Sequence, residues 1–145
     1  MKTEIDNGKN KQLNTGREFR MQAIGKENIL ILCSQNSARS QMAEGFLKHY
    51  GSKWYRVYSA GFDPAPVHPL AVAVMAEVGV DISGQASKSV REYLGKLSFG
   101  HVIAVCKKAE EQCPVIFPSA LKILAWPFDD PAAYHGSEEE CLQEF

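Results

Sequence analysis

A chain of 145 residues that is 45% hydrophobic has the material for one domain with a core of its own. Sixteen basic and 17 acidic side chains leave a formal net charge of −1, which argues against nucleic-acid binding or a membrane-surface role, since both want a basic field. No apolar run approaches the roughly 18 residues of a membrane span, and the first 28 residues hold no apolar core of a signal peptide, so a soluble cytoplasmic protein is expected.

Residues 1–25 are rich in Lys, Asn, Glu, Gly and Gln and predict a disordered extension, with the folded domain over 26–145. Asn28 to Cys33 is a continuous apolar run, the pattern of a strand buried on both faces. Gln41 to Tyr50 follows with Met42, Ala43, Phe46, Leu47 and Tyr50 on one helical stripe. Trp54 to Ala60 reads as a second strand, ended by Gly61 and a loop carrying Pro64, Pro66 and Pro69. His68 is expected to cap the next helix, Leu70 to Val78, which Gly79 closes. Ser87 to Leu94 predicts a short helix and His101 to Cys106 a third buried strand. Ala109 to Gln112 reads as helical and stopped before Pro114, and Leu121 to Trp126 as a fourth strand. This alternation predicts an α/β fold, a four-stranded parallel sheet with helices on both faces. Ser137 followed by Glu138, Glu139 and Glu140 has the form of a helix start, so the chain is expected to stop within the first turns of a final helix.

Four cysteines, Cys33, Cys106, Cys113 and Cys141, have neither the two-residue spacing of a zinc site nor an export signal to suggest structural disulfides. His49, His68, His101 and His135 are dispersed, so no metal and no cofactor is predicted. Position singles out Cys33. It ends a buried strand, five residues separate it from Arg39, and a helix follows at once, in Cys33-Ser34-Gln35-Asn36-Ser37-Ala38-Arg39-Ser40. Ligands of open α/β sheets bind beyond the carboxyl ends of the strands. There the backbone N–H groups of residues 34–39 can form an anion nest, the helix N-terminus adds positive partial charge, and Arg39 can grip a tetrahedral oxyanion with two parallel bonds. This setting is expected to lower the Cys33 thiol and make it a nucleophile, with Ser40 hydrogen-bonded to the thiolate and Asn36 pinning the loop, possible in a left-handed turn. Asp130, directly before Pro131 and just past the fourth strand, lies where it could act as a general acid, although composition alone favours a solvated loop residue. Cys106 ends the third strand at the same edge of the sheet, and Cys113 lies seven residues on.

These motifs resemble the low-molecular-weight protein tyrosine phosphatase superfamily, whose loop reads C-x-x-N-x-x-R-S, and within it the thioredoxin-coupled arsenate reductases. The likeness spans about Lys26 to Phe145 and includes Ser40 to Gly45, Ser59-Ala60-Gly61, His68-Pro69, Glu77 to Ser83 and Phe128 to Ala132. It implies that Asp130, rather than Asp129, is the acid, that Cys106 and Cys113 are a redox relay, and that thioredoxin restores the thiols. Phosphatases of this fold usually lack that cysteine pair and follow their Asp-Pro with two tyrosines, where this chain has Ala132-Ala133-Tyr134. Arsenate reduction is therefore expected, with a phosphatase using Cys33, Arg39 and Asp130 as the alternative and a non-catalytic oxyanion-binding or redox-sensing module as the weakest reading. Some relatives bind potassium beside the loop. The matching positions here are Asn36, Glu44, Ser59 and Lys88, where an aspartate is usual in place of the last, so the Lys88 ammonium either replaces the cation or is simply an exposed loop lysine. Trp126 and Phe128 are expected to pack the sheet edge, and Tyr134 to border the substrate mouth.

Overall fold

The computed structural model describes residues 25–117 and 120–145. The predicted N-terminal extension lies outside the described residues, Gly25 excepted.

Four parallel strands form one sheet in the order β2-β1-β3-β4: β1 (Glu27–Cys33), β2 (Tyr55–Gly61), β3 (His101–Ala104) and β4 (Lys122–Ala125). Cys33 stands level with Gly61, and Leu32 level with both Ala60 and Ala104, so strand ends, loops and helix starts gather at one carboxyl edge. The central strands are nearly solvent-free because they are covered twice: Leu30, Ile31, Leu32, Val102 and Ala104 are buried together with Phe99, Val105 and Phe117. The helices are α1 (Arg39–Gly51), α2 (Pro69–Glu77), α3 (Lys107–Ile116) and α4 (Glu138–Glu144). The chain moves from β1 to β2 through α1 and in the opposite direction, β3 to β4, through α3. Right-handed crossovers therefore place these helices on opposite faces, as the sequence predicts.

Several elements differ from expectation for local reasons. Ser87 to Leu94 contains only a 3-10 turn at Val90–Glu92, capped by Ser89. The helix expected to stop before Pro114 instead runs through it to Ile116, leaving residue 114 with no N–H to give to the ladder. On α1 the buried residues are Ser40, Gln41, Glu44 and Gly45, while the apolar stripe is only half covered and Phe46 and Tyr50 are exposed. The helix turns a polar face inward because that face holds the loop after β1. Trp126 and Phe128 are exposed rather than packed. Their backbone N–H groups still donate to the Ala104 and Val105 carbonyls at 2.8 and 3.0 Å, extending the β3–β4 pairing toward Asp130. His68 caps α2 as expected, its Nδ1 accepting from Leu70 N–H at 3.2 Å. Ser137 and Glu140 form a reciprocal capping box at the start of α4.

Candidate active site

The loop between β1 and α1 is built by turning its carbonyls outward. The carbonyl of Ser34 accepts from Asp63 N–H, that of Gln35 from Ala65 N–H and that of Ser37 from His68 N–H, each at 2.9 Å. The Asn36 carbonyl accepts from the buried Gln41 side chain, also at 2.9 Å. With the carbonyls engaged on the outside, the loop N–H groups are left for the inner side, an anion nest in form. Asn36 makes the turn possible with φ of 51°, the left-handed conformation anticipated for it. Gly61 is required beside it, because a Cβ there would lie 2.7 Å from Asn36 N and 2.8 Å from both the Gln35 carbonyl carbon and the Ser34 oxygen. At the far end of the loop the N-cap of α1 is Ala38, which has no side chain able to cap, so the first-turn N–H groups stay available to an anion.

The loop walls a cleft of about 170 Å³ lined by Cys33, Ser34, Gln35, Ser37, Ala38, Arg39, Asp130 and Ala132. Arg39 is fixed from one side by donating Nη1–H to the Phe128 carbonyl at 2.8 Å, while Nη2 faces Asp130 Oδ2 at 3.5 Å. Asp130 Oδ1 also accepts from Ala132 N–H at 3.1 Å. Asp129 lines a separate, more apolar groove with Met42, Phe46 and Phe128, which separates the two adjacent aspartates by location. Tyr134 is not among the residues lining the cleft.

Cys106, just past the end of β3, is brought beside the loop that Cys33 opens, its sulfur 3.4 Å from Ser34 Oγ, and the two thiols are electrostatically coupled. This changes the expected electrostatics. The coupling to Cys106, then burial, push the Cys33 thiol up against the pull of Arg39 and the Ser34 N–H. Cys106 is pushed down to about 5, chiefly by the coupling to Cys33, opposed by burial and assisted by the Ser34 hydroxyl, the Ala109 N–H and Arg39. A single lowered Cys33 thiol is therefore replaced by a coupled pair that sheds one proton early and keeps the other. Cys106 is the N-cap of α3, and its sulfur accepts from Ala109 N–H at 3.4 Å. Ser34 Oγ lies 3.4 Å from the same sulfur. Cys113 is fully buried in α3, and burial raises its thiol to about 11. Ser40 is buried, but its hydroxyl accepts from Asn36 Nδ2 at 2.8 Å, and among the described residues no bond joins it to the Cys33 sulfur. Cys141 stands apart on α4, its thiol directed to the Tyr134 and Gly136 carbonyls.

Behind the loop lies a buried polar chain. Asn36 Nδ2 donates to Ser59 Oγ at 2.8 Å, and Ser59 donates to Oε2 of the buried Glu44. Lys88 Nζ is 3.6 Å from that same oxygen and donates to the Ala86 carbonyl at 2.6 Å. The carboxylate and carbonyl oxygens that could ligate potassium here face an ammonium, and Asn36 presents a donor to Ser59, so the residues do not fit a bound cation. Gln41, unremarked in the sequence, is equally central: its Nε2 donates to Asn36 Oδ1 at 3.0 Å as well as to the Asn36 carbonyl.

The comparisons agree with this geometry. The family model for low molecular weight phosphotyrosine protein phosphatase matches residues 28–144. An arsenate reductase of Shouchella clausii is 45% identical over 118 residues, covering 81% of this chain and 83% of the relative. One of Bacillus subtilis is 45% identical over 114 residues, covering 77% and 79%. Among solved structures, an arsenate reductase in the phosphate binding state superposes with a TM-score of 0.68 at 34% identity, over 81% of this chain and 86% of that one. A low molecular weight protein tyrosine phosphatase from T. tengcongensis gives 0.65 at 27% identity, over 82% and 90%. With the Cys33–Arg39 loop, the parallel sheet and these likenesses together, the chain belongs to the low molecular weight phosphotyrosine protein phosphatase family.

Proposed function

We propose that the protein reduces arsenate to arsenite through a cysteine relay. The observation that carries this reading is Cys106 beside the oxyanion loop that Cys33 opens, its sulfur 3.4 Å from Ser34 Oγ, with Cys113 on the helix that Cys106 caps. Hydrolysis of a phosphate ester needs only one cysteine. Reduction needs a second within reach of the first, and the names of the relatives point the same way.

Arsenate enters the cleft on the loop N–H groups and Arg39. Cys33 attacks arsenic as the thiolate of the coupled pair, Cys106 keeping the remaining proton, while Asp130 protonates the departing hydroxide as water. With Cys33 bound to arsenic, the Ser34 hydroxyl, the Ala109 N–H and Arg39 favour ionisation of the Cys106 thiol, which gives its proton to solvent and attacks the Cys33 sulfur as thiolate. The S–As bond breaks with its electron pair on arsenic, As(V) becomes As(III), and arsenite leaves a Cys33–Cys106 disulfide. Cys113, as thiolate, then attacks the Cys106 sulfur. Cys33 leaves as thiolate and a Cys106–Cys113 disulfide remains, reduced by an external dithiol, for which thioredoxin is the proposed donor.

The last exchange demands motion. Seven helical residues rise about 10 Å, whereas bridged cysteines need Cα atoms within about 7 Å. Cys113 therefore reaches Cys106 only when α3 unwinds. The polar exposed Lys107, Lys108, Glu110 and Glu111 lower the cost of opening. An arsenate reduction assay coupled to thioredoxin, with Cys33→Ser, Cys106→Ser and Cys113→Ser alongside, tests the proposal. Full turnover by Cys106→Ser would overturn it, and p-nitrophenyl phosphate hydrolysis outpacing arsenate reduction would favour the phosphatase reading. No helix among the described residues is long and apolar enough to cross a membrane, and the proposed site of action is the cytoplasm.

A further inference from the structure

Glu44 is almost wholly buried on the inward face of α1, 3% exposed, and a buried carboxylate is costly unless paired. Its two oxygens are treated differently. Oε1 meets Lys48, one turn along the same helix and half exposed. Oε2, the oxygen that receives the Ser59 hydroxyl, faces Lys88, whose side chain is 21% exposed. Lys88 is tied to the loop in two further ways. Its N–H donates to Asn36 Oδ1 at 2.9 Å, and its carbonyl accepts from Gly61 N–H at 2.9 Å. Its backbone thus grips the left-handed residue and the glycine packed against it, while its ammonium closes the Glu44–Ser59–Asn36 chain from the other end.

We propose that Lys88 is a positioning residue for the oxyanion loop. Its ammonium, held between the Ala86 carbonyl and Glu44, supplies from within the chain the positive charge that keeps Ser59 and Asn36 in place, and with them the turn that presents the loop N–H groups. The proposal rests on the reading that this loop binds an oxyanion. It makes an added monovalent cation unnecessary, because the oxygens such an ion would use are already engaged. Lys48 is no substitute, since it lies on the outer oxygen, away from Ser59.

The experiment measures inorganic phosphate affinity by calorimetry and hydrogen exchange at the amides of Gly61, Asp63, Ala65 and Lys88, in matched potassium and sodium salts. Lys88→Ala is expected to bind phosphate about tenfold more weakly or worse, the scale seen when supporting residues around a site are lost. Those four amides are expected to exchange faster, Lys88→Arg to restore both readouts, and Lys48→Met to leave both near wild type. The unaltered protein is expected to respond equally to potassium and sodium. Unchanged exchange and affinity in Lys88→Ala, or tighter phosphate binding by the unaltered protein in potassium than in sodium, would overturn the proposal. If Lys88→Ala does not fold, Lys88→Arg and the salt comparison still decide it. If the unaltered protein binds no phosphate, the oxyanion reading fails on its own, and the amide exchange still reports whether Lys88 holds the loop.

Discussion

Ser34 Oγ lies 3.4 Å from the Cys106 sulfur although 72 residues separate them in sequence, because β1 and β3 are neighbours and both end at the same edge of the sheet, and this sets Cys106 beside Cys33. Each thiol sets the ionisation of the other, so the first proton lost belongs to the pair. In the reduced protein, thiolate absorbance should rise through about pH 5 and be nearly complete for one cysteine at pH 7, well below the ordinary thiol range near 8.5. Cys33→Ala removes the largest influence lowering Cys106 and should abolish the step near pH 5, whereas Cys106→Ala removes the largest influence raising Cys33 and should move that thiol down. Persistence of the early step unchanged in Cys33→Ala would show that the pair does not act as a unit.

Asp130 stands at the cleft mouth beside Arg39, whereas Asp129 lines the neighbouring groove. Asp130→Asn should lower kcat for p-nitrophenyl phosphate by about 10²- to 10⁴-fold, the usual worth of a general acid. Phosphate affinity should be kept or improved, since Arg39 loses a competing carboxylate. Asp129→Asn should change kcat little. Steady-state kinetics with phosphate inhibition separates the two.

At Gly61 the loop backbone approaches within 2.7 Å of where a Cβ would sit, and backbone cannot give way as a side-chain end can. Gly61→Ala should cost about 1–3 kcal/mol of stability, as overpacking does. Phosphate affinity should fall with it, because the atoms displaced belong to Asn36 and Gln35. Thermal melts and calorimetry on one preparation test both effects.

Pro114 interrupts α3 one residue after Cys113, where the missing N–H would have bonded to the Glu110 carbonyl. Pro114→Ala restores that donor and should stabilise the helix by up to about 3 kcal/mol. The first disulfide, Cys33–Cys106, should then form at an unchanged rate while Cys106–Cys113 forms more slowly. Rapid quenching followed by mass spectrometry of the two species checks this. Equal rates for the second disulfide would mean that α3 need not unwind.

The sequence alone determined the strand and helix order, the loop Cys33 to Ser40 and the left-handed turn at Asn36, and its resemblance to the family is what singles out Asp130 over its neighbour. Each is a local signal: an apolar run, a spacing, a residue type with a backbone preference, a motif carried by the resemblance. Pattern reading held only in part at α1, where Met42, Ala43 and Leu47 of the apolar stripe pack against the core while Phe46 and Tyr50 are exposed, and it failed at Pro114, which the helix accommodates. At α1 the reason is that burial is set by what an element packs against, and α1 packs its polar side on the loop. Only the tertiary structure decided that Cys106 meets the loop of Cys33, that Ser34 contacts Cys106 while Ser40 serves Asn36, and that Gln41 and Lys88 brace the loop from behind. Those properties arise from groups up to 72 residues apart in the chain meeting in a poorly solvated space, where hydrogen bonds and charge act strongly over a few ångströms.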